Sequence, residues 1–284
     1  MSMTETIKLY DRDAYATEFE ADIISCEPNK ADDKQFDIIL NQTLFFPEEG
    51  GQSPDMGILG GYRVVDVQIK NGVITHTVET SAGECCEAEN EAGKQIAGSE
   101  FEPEKAELAA GVHVQGKIDW QHRFYNMQQH SGEHIFSGIV HSRFGFENVG
   151  FHLSDSVVTM DFSGVISPED IAEVEHEVNV AISKNIPIEV TYPSRDELAQ
   201  LEYRSKIEIE GQVRIVTVPG YDVCACCAPH VKRTGEIGML KVMNYQNYKG
   251  GVRVSILCGF RALEAFRQKC DIISELMGIF TTNQ

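Results

Sequence analysis

The chain has 284 residues and a formal net charge of −20, from 44 acidic and 24 basic side chains. This length is sufficient for one large or two ordinary domains with cores of their own, so folding requires no disulfide or metal cross-links. The acidic charge argues against an anionic membrane surface and a broad nucleic-acid footprint, because phosphate binding draws on clustered Lys and Arg.

The first residues are polar, and no apolar run reaches 18 residues. We therefore expect neither a signal peptide nor a transmembrane helix, and a cytoplasmic location without membrane partners. In that compartment the eight cysteines should be reduced. A cluster of cysteines then predicts metal binding or catalysis in preference to disulfides.

The chain up to residue 119 is rich in predicted strands, which fall at 23–24, 36–40, 62–69 and 73–78. Asn71-Gly72 between the last two predicts a tight hairpin, since it supplies positive φ angles. The acidic segment 81–105 predicts an exposed loop, with some helix near 104–110 and a last strand at 112–118. These elements predict an antiparallel β-barrel-like domain over residues 1–115.

From residue 120 the apolar spacing becomes helical, as far as residue 144. Ser167-Pro168 and Ser194 carry the signals of helix starts. Further strands are predicted at 157–162, 186–192, 212–218, 236–242 and 251–258, with a closing helix at 260–277. The sequence thus predicts an α+β protein with a mixed α/β domain at 116–259. A C-terminal helix at 260–284 would follow, an ending consistent with a longer natural protein cut in a linker.

Two spaced pairs of side chains predict a metal site. His130 and His134 lie four residues apart on the predicted helix and share one face, and Cys226 and His230 have the same spacing downstream. One thiolate and three imidazoles suit four-coordinate Zn²⁺. Cys224 or Cys227 could replace Cys226 as the ligand. The simpler alternative is that the histidines lie on a helix surface and the cysteines in a core.

The same stretch matches an inverted zinc-protease pattern, His130-x-x-Glu133-His134, in which Glu133 would be the general base. Such a protease would take a third ligand from a later carboxylate, for which the candidates are Glu173, Glu175 and Glu177. This interpretation leaves Cys226 and His230 without a role.

A third informative stretch is 43–57, in which Gly50 and Gly51 follow an aromatic-proline run. Paired glycines let a backbone approach another surface closely, as in a loop that lines a pocket. A turn that closes the barrel is an equally good interpretation of the same residues.

Three motifs in order resemble one family, the editing module of alanyl-tRNA synthetases and the free-standing AlaX proteins. They are Phe45-Phe46-Pro47-Glu48 with Gly50-Gly51-Gln52 and Asp55-x-Gly57, then His-x₃-His, then Cys-x₃-His-Val leading into Thr234-Gly235-Glu236-Ile237-Gly238. The resemblance covers residues 43–253.

What the resemblance implies is a zinc-dependent deacylase, without a nucleotide cofactor, that hydrolyses the ester of tRNA(Ala) mischarged with serine or glycine. It implies the metal ligands His130, His134, Cys226 and His230. It also implies an amino-acid pocket bordered by Thr43, Gly50, Gly51 and Gln52.

The chain departs from the family at Cys226-Cys227-Ala228-Pro229-His230, where relatives have Cys-Gly-Gly-Thr-His. The preferred amino acid is therefore left open. Thr43 is our candidate partner for a serine hydroxyl, because a buried polar partner can reject alanine. Glu133 and His152 are candidate bases or water-positioning groups, and His152 alternatively caps a strand.

A second hypothesis is a non-catalytic module in which zinc is structural and the protein holds RNA or another protein. For phosphate contact, the densest run of positive charge is the first place to look, although a solvated surface explains it equally well. This run comprises Lys232, Arg233, Lys241, Lys249 and Arg253.

Overall fold

The computed structural model describes residues 5–80, 106–205 and 211–280. The chain divides into two compact units, one of residues 1–48 and 54–120 and the other of residues 49–53 and 121–284. The predicted domain boundaries after residues 115 and 259 stay predictions. The predicted loop at 81–105 lies outside the described residues, and residues 106–110 are not helical, although some helix was expected there.

The first unit is built from eight strands in its described residues. They are β1 (Ile7–Lys8), β2 (Glu18–Pro28), β3 (Gln35–Leu40), β4 (Gln42–Thr43), β5 (Gly57–Leu59), β6 (Tyr62–Lys70), β7 (Val73–Glu79) and β8 (His113–Ile118). A 3-10 turn at Leu9–Asp11 follows β1.

Six of these strands close into a barrel in the order β2-β3-β7-β6-β5-β8, while β1 and β4 form a separate parallel pair. Alternation of buried and exposed residues sets which side chains fill the barrel, because successive residues of a strand face opposite sides. In β7 the inward side chains are Ile74, His76 and Val78. The predicted β6–β7 hairpin is confirmed, with positive φ at Asn71 and Gly72.

The second unit contains four helices and seven strands in its described residues. They are α1 (Trp120–Phe144), β9 (Asn148–Leu153), β10 (Val158–Phe162), α2 (Pro168–Ser183), β11 (Glu189–Thr191), α3 (Arg195–Leu198), β12 (Ile215–Val218), β13 (Asp222–Ala225), β14 (Leu240–Tyr248), β15 (Gly251–Cys258) and α4 (Gly259–Phe280). The strands form two antiparallel sheets, β14-β15-β10-β9 and β11-β12-β13.

Helix α1 runs through the core of this unit and is buried from Asn126 to Val140, including its polar residues. Buried polar groups need partners. Gln129 supplies an example: its amide accepts from the Cys258 backbone at 2.7 Å and donates to the Cys258 carbonyl at 2.9 Å. Such pairs explain how a polar helix can occupy a core.

The mixed α+β class, the antiparallel sheets and the closing helix are confirmed. Ser167 caps α2 through the Asp170 amide, and Ser194 with Glu197 forms a capping box on α3. The strand predicted at 236–242 is wrong at its start, because Thr234–Ile237 is a 3-10 turn and β14 begins at Leu240. Strand β13 was not predicted.

No helix within the described residues is both long enough and apolar enough to cross a membrane.

Candidate metal centre

The two histidines of α1 face the same point, as the four-residue spacing requires. The ring centroids of His130 and His134 lie 5.4 Å apart, and both side chains are almost fully buried. His230 completes the trio, with ring centroids 5.0 Å from His130 and 4.6 Å from His134. Helix α1 thus brings two imidazoles to a third that comes from the segment after β13.

Cys226 lies against this trio. Its Sγ is 3.5 Å from Nε2 of His130 and 3.4 Å from Nε2 of His230. The ligand atoms of His130, His134, Cys226 and His230, hereafter the His/Cys cluster, all lie within 4.8 Å of one another. The structure therefore assembles all four residues that the sequence predicted as metal ligands.

These distances fit a tetrahedral zinc site. Typical Zn–S and Zn–N bonds place a thiolate and an imidazole nitrogen about 3.6 Å apart across a tetrahedral edge. The Sγ–Nε2 separations of 3.5 and 3.4 Å come within a few tenths of that value. The donor set of sulfur and nitrogen also suits this metal.

Each imidazole has its Nδ1 bonded to another group of the second unit. Nδ1 of His130 donates to Gln52 Oε1 at 2.7 Å, and Nδ1 of His134 donates to Asp222 Oδ2 at 2.8 Å. Nδ1 of His230 lies 3.1 Å from Ser131 Oγ. For His130 and His134, whose partners are acceptors, this bond sets the tautomer that leaves the Nε2 lone pair for a metal.

Asp222, at the start of β13, is itself held by Arg204. The guanidinium makes two bonds to the carboxylate, at 2.8 and 2.9 Å. The backbone of Arg204 is fixed as well, because its N–H donates to Val223 O and its carbonyl accepts from Ala225 N. Asp222, held by these two hydrogen bonds from Arg204, in turn orients the ring of His134.

The charges within the cluster favour a thiolate at Cys226. Burial raises the pKa of this thiol, but the neighbouring His130 and hydrogen bonds from His130 and His134 outweigh burial and hold the pKa well below its ordinary value. Burial lowers the pKa of His230 to about 3, so that ring is neutral. A thiolate and a neutral imidazole are the protonation states that bind a metal.

Cys224 and Cys227 have other surroundings. Cys224 is grouped with His134 and Asp222, and burial raises its pKa to about 11. Burial also raises the pKa of Cys227, with contributions from the Cys226 charge and the Glu49 carboxylate. Both groups are thiols at neutral pH, and Cys226 is the cysteine grouped with all three histidines.

The glycine turn, residues 49–52, belongs to the second unit. Gly50 and Gly51 have φ angles of 63° and 85°, which favour glycine. A Cβ at Gly51 would lie 2.5 Å from the carbonyl oxygen of Phe151, so no side chain fits there. The turn thereby brings Gln52 to His130, a contact that the pocket-lining prediction for Gln52 did not foresee.

Thr43 lies in the first unit and is fully buried. Its hydroxyl is 2.9 Å from Nε2 of His76 and accepts from the Phe45 amide at 3.0 Å. Since His76 Nδ1 donates to Ile38 O at 3.2 Å, Nε2 accepts and the Thr43 hydroxyl donates. One lone pair of the Thr43 oxygen is left by these two bonds.

The two candidate bases differ in their surroundings. Glu133 is buried, and its Oε1 accepts from Ser137 Oγ and Asn148 Nδ2, each at 2.7 Å. His152 is exposed on β9, whereas its neighbour Phe151 lies on the opposite face, with its ring centroid 4.9 Å from that of His130. The strand thus turns His152 away from the cluster, and we assign it no role.

The carboxylates required by the protease interpretation are engaged in ion pairs. Glu173 and Glu177 both bind Arg143, at 2.9 and 3.1 Å, and Glu175 binds Lys241 at 2.7 Å. Among the described residues, none of these three glutamates belongs to a group that could hold a metal ion with His134.

The predicted basic run is partly neutralised. Lys241 pairs with Glu175, and Arg253 bonds Asp161 through two nitrogens at 2.5 and 2.7 Å. The Arg233 side chain bonds the Asn185 carbonyl. These three side chains therefore serve local contacts, which the spacing of charges along the sequence could not indicate.

Sequence reasoning missed the residues that orient the ligands, chiefly Ser131, Arg204 and Asp222. Ser131 is adjacent to His130, but nothing in its position predicts a bond to His230. Arg204 and Asp222 lie 18 residues apart with no shared motif.

A comparison with protein-family models matches the segment that carries two of the four clustered residues. Residues 213–255 match the family described as the threonyl and alanyl tRNA synthetase second additional domain. This match runs from before β12 into β15 and includes Cys226 and His230.

Curated proteins similar to this chain include alanyl-tRNA editing proteins and alanine–tRNA ligases. The chain is 29% identical over 268 residues to the alanyl-tRNA editing protein AlaX-L of Pyrococcus horikoshii, covering 92% of this chain and 60% of that protein. It is 28% identical over 269 residues to the alanyl-tRNA editing protein Aarsd1 of Bos taurus, covering 89% and 54%. An alanine–tRNA ligase of Halobacterium salinarum is 30% identical over 278 residues, covering 92% and 27%.

The predicted resemblance to the free-standing alanyl-tRNA editing proteins of the AlaX type is confirmed. The chain spans about 60% or less of the length of these relatives.

Proposed function

We propose that this protein hydrolyses the ester of tRNA(Ala) mischarged with serine or glycine, as a zinc-dependent editing enzyme acting in trans. The observation that carries the proposal is the convergence of three imidazoles and one cysteine sulfur in the His/Cys cluster, with Nδ1 of His130 and His134 bonded to acceptors. Its support is the similarity to proteins named for alanyl-tRNA editing. A cytoplasmic location and independence from nucleotides belong to the same proposal.

His130, His134, Cys226 and His230 would hold the metal. When bound, zinc supplies a Lewis acid that can polarise a carbonyl or acidify a water. An aminoacyl ester is already activated, so the remaining task of the protein is chiefly to position the ester and the attacking water. Glu133, tied to Ser137 and Asn148, is the buried carboxylate of α1 that we propose as a water-positioning group.

We propose that Thr43, Gly50, Gly51 and Gln52 border the amino-acid pocket, as the resemblance implies. The remaining lone pair of Thr43 could accept from a serine hydroxyl, which alanine lacks. Gly50 and Gly51 let the turn approach Phe151 and Cys227 closely, and this approach holds Gln52 beside His130.

The direct test uses the purified protein with Ser-tRNA(Ala), Gly-tRNA(Ala) and correctly charged Ala-tRNA(Ala). We expect release of serine or glycine and sparing of alanine. Cys226→Ala should abolish release, whereas Cys270→Ala, at an exposed cysteine of α4, should leave it unchanged. Failure of the wild-type protein to release either amino acid would refute the proposal. An inverted-motif protease, in contrast, would hardly respond to Cys226→Ala.

Chelation separates a catalytic from a structural metal. We expect removal of zinc to abolish deacylation while the far-ultraviolet circular dichroism stays nearly intact, because both units have extensive apolar cores of their own. Loss of the folded signal together with the metal would favour the non-catalytic zinc module instead.

A further inference from the structure

The glycine turn presents two polar side chains on one side. Gln52 N donates to Glu49 O at 3.1 Å, and the two residues form an isolated antiparallel bridge. Residues that oppose each other across an antiparallel pair direct their side chains to the same face. Because Gln52 Oε1 is bonded to His130, this face is the one toward the His/Cys cluster.

Polar atoms of this turn, and of Ser53 directly after it, are buried without partners. Among the described residues, no hydrogen-bond partner reaches Glu49 Oε2, Gln52 Nε2 or Ser53 Oγ, although each atom is inaccessible to solvent. Gln52 as a whole is 0% exposed. Unsatisfied buried groups are uncommon and costly, so several within five residues indicate that a ligand supplies the missing bonds.

The unpartnered atoms define the ligand by their chemistry. Gln52 Nε2 can only donate, which suits a carbonyl or hydroxyl oxygen, whereas an ionised Glu49 carboxylate can only accept and favours a cation. A phosphate would be repelled by Glu49, so the nucleotide part of a charged tRNA does not fit this position. The α-ammonium group of the esterified amino acid is the cation that an aminoacyl ester carries.

We propose that Glu49 binds the α-ammonium group of the substrate and so selects aminoacyl esters over esters that lack this charge. The inference rests on the proposed deacylase function and deepens it. Glu49 also lies near Cys227, whose pKa its carboxylate helps to raise, and a Cβ at Gly50 would lie 3.5 Å from Cys227 Sγ. These contacts keep the Glu49 side chain beside the segment that carries Cys226.

The experiment compares two stable ligands on the zinc-loaded protein. One is 3′-deoxy-3′-(L-seryl)amino-adenosine, an amide analogue of the charged tRNA end, and the other replaces its α-ammonium by a hydroxyl. We expect wild type to prefer the ammonium analogue and Glu49→Gln to lose about 10- to 100-fold of that preference, the range for a charge-assisted hydrogen bond. Affinity for the hydroxyl analogue should stay unchanged.

Glu189→Gln is the matched control, because it removes the same charge from the exposed strand β11. An unchanged preference in Glu49→Gln, or no preference in wild type, would overturn the inference. If wild type deacylates Ser-tRNA(Ala) but Glu49→Gln keeps the preference, only this inference fails. If wild type neither binds the analogues nor releases an amino acid, the proposed function fails and this inference fails with it.

Discussion

At the scale of single residues, the cluster is organised by hydrogen bonds to the nitrogens that face away from Cys226. Gln52, Asp222 and Ser131 each occupy one Nδ1, so the rings reach the metal site already oriented. The Asp222 bond is the strongest of the three by chemistry, because a carboxylate held by Arg204 is ionised. Burial raises the pKa of Asp222, but His134 and Arg204 outweigh burial and lower it.

Asp222→Asn should weaken zinc binding about 10- to 100-fold, the usual cost of losing a group that orients a metal-ligating histidine. The asparagine amide can present its NH₂ group to Nδ1 and select the wrong tautomer. Zinc affinity measured by competition with a chromophoric chelator tests this. Asp161→Asn is the control, since Asp161 forms a similar two-bond pair with Arg253 on β10 and β15. Equal zinc affinity in Asp222→Asn and wild type would contradict the orienting role.

The buried His76 of the barrel predicts a pH dependence of stability. Burial lowers its pKa to about 4, whereas the unfolded chain has the ordinary value of 6.5. The unfolded state then binds the extra proton between these values, so stability rises with pH from 4 to 6.5 and is flat above. The total change is about 3 kcal/mol.

His76→Gln should flatten this slope, as measured by urea unfolding at several pH values. His113 makes a contribution to the pH dependence of stability that is opposite in sign to that of His76. Hydrogen bonds to Asp22 and Glu20 raise the pKa of His113. The stability that His113 contributes is present below pH 6.5 and is lost as the pH rises through the pKa of His113 in the folded state. His113→Gln should therefore leave the slope between pH 4 and 6.5 nearly unchanged, and an equal effect of both substitutions would contradict the assignment to His76.

At the scale of elements, α1 has glycines where other segments of the protein approach it closely. A Cβ at Gly138 would lie 2.3 Å from Tyr221 O and 2.8 Å from Asp222 Cβ. A Cβ at Gly132 would lie 2.4 Å from Cys258 Sγ. Glycine lowers helix propensity, but at Gly138 its lack of a side chain lets β13 come close enough for Asp222 to reach His134.

Gly138→Ala should therefore destabilise the protein by about 1–3 kcal/mol, the usual cost of overpacking, and weaken zinc binding. Gly278→Ala in α4 is the control, because a Cβ there meets nothing within 4 Å. It should stabilise the protein by up to about 1 kcal/mol through helix propensity. Denaturant midpoints and zinc titrations measure both effects, and a neutral Gly138→Ala would show that β13 has room to move.

At the scale of the whole molecule, the charge of −20 limits how the proposed tRNA substrate can be held. Lys241 and Arg253, two of the five predicted phosphate contacts, are bound to carboxylates. Arg143 is bound to Glu173 and Glu177 as well. With acidic side chains in excess and these three basic groups paired, we expect recognition of the proposed tRNA substrate to depend mainly on its charged end.

The expected result is a shallow salt dependence of tRNA binding. Each phosphate contact contributes about −0.9 to the slope of log K against log salt concentration, so we expect a slope smaller in magnitude than about 3. Fluorescence anisotropy with labelled tRNA(Ala) at 50 to 300 mM salt, taken as a rough working range, measures it. A slope of −6 or steeper, equivalent to about seven phosphates, would reveal a basic surface that the ion pairs do not indicate.

The sequence by itself determined the elements whose signals are local. The hairpin at Asn71-Gly72, the caps of α2 and α3 and the length of α1 all follow from neighbouring residues, and so does the pairing of His130 with His134 on one helical face. Cys226 and His230 also stood out by their spacing alone.

Only the tertiary structure decided which groups orient these ligands and which atoms near them lack partners. The contacts of His134 with Asp222 and of His130 with Gln52 join residues 88 and 78 positions apart. No periodicity spans such distances, because they depend on how β13 and the glycine turn pack against α1. For the same reason no local pattern indicates that Gly138 makes room for Asp222, or that Glu49 lies beside the cluster.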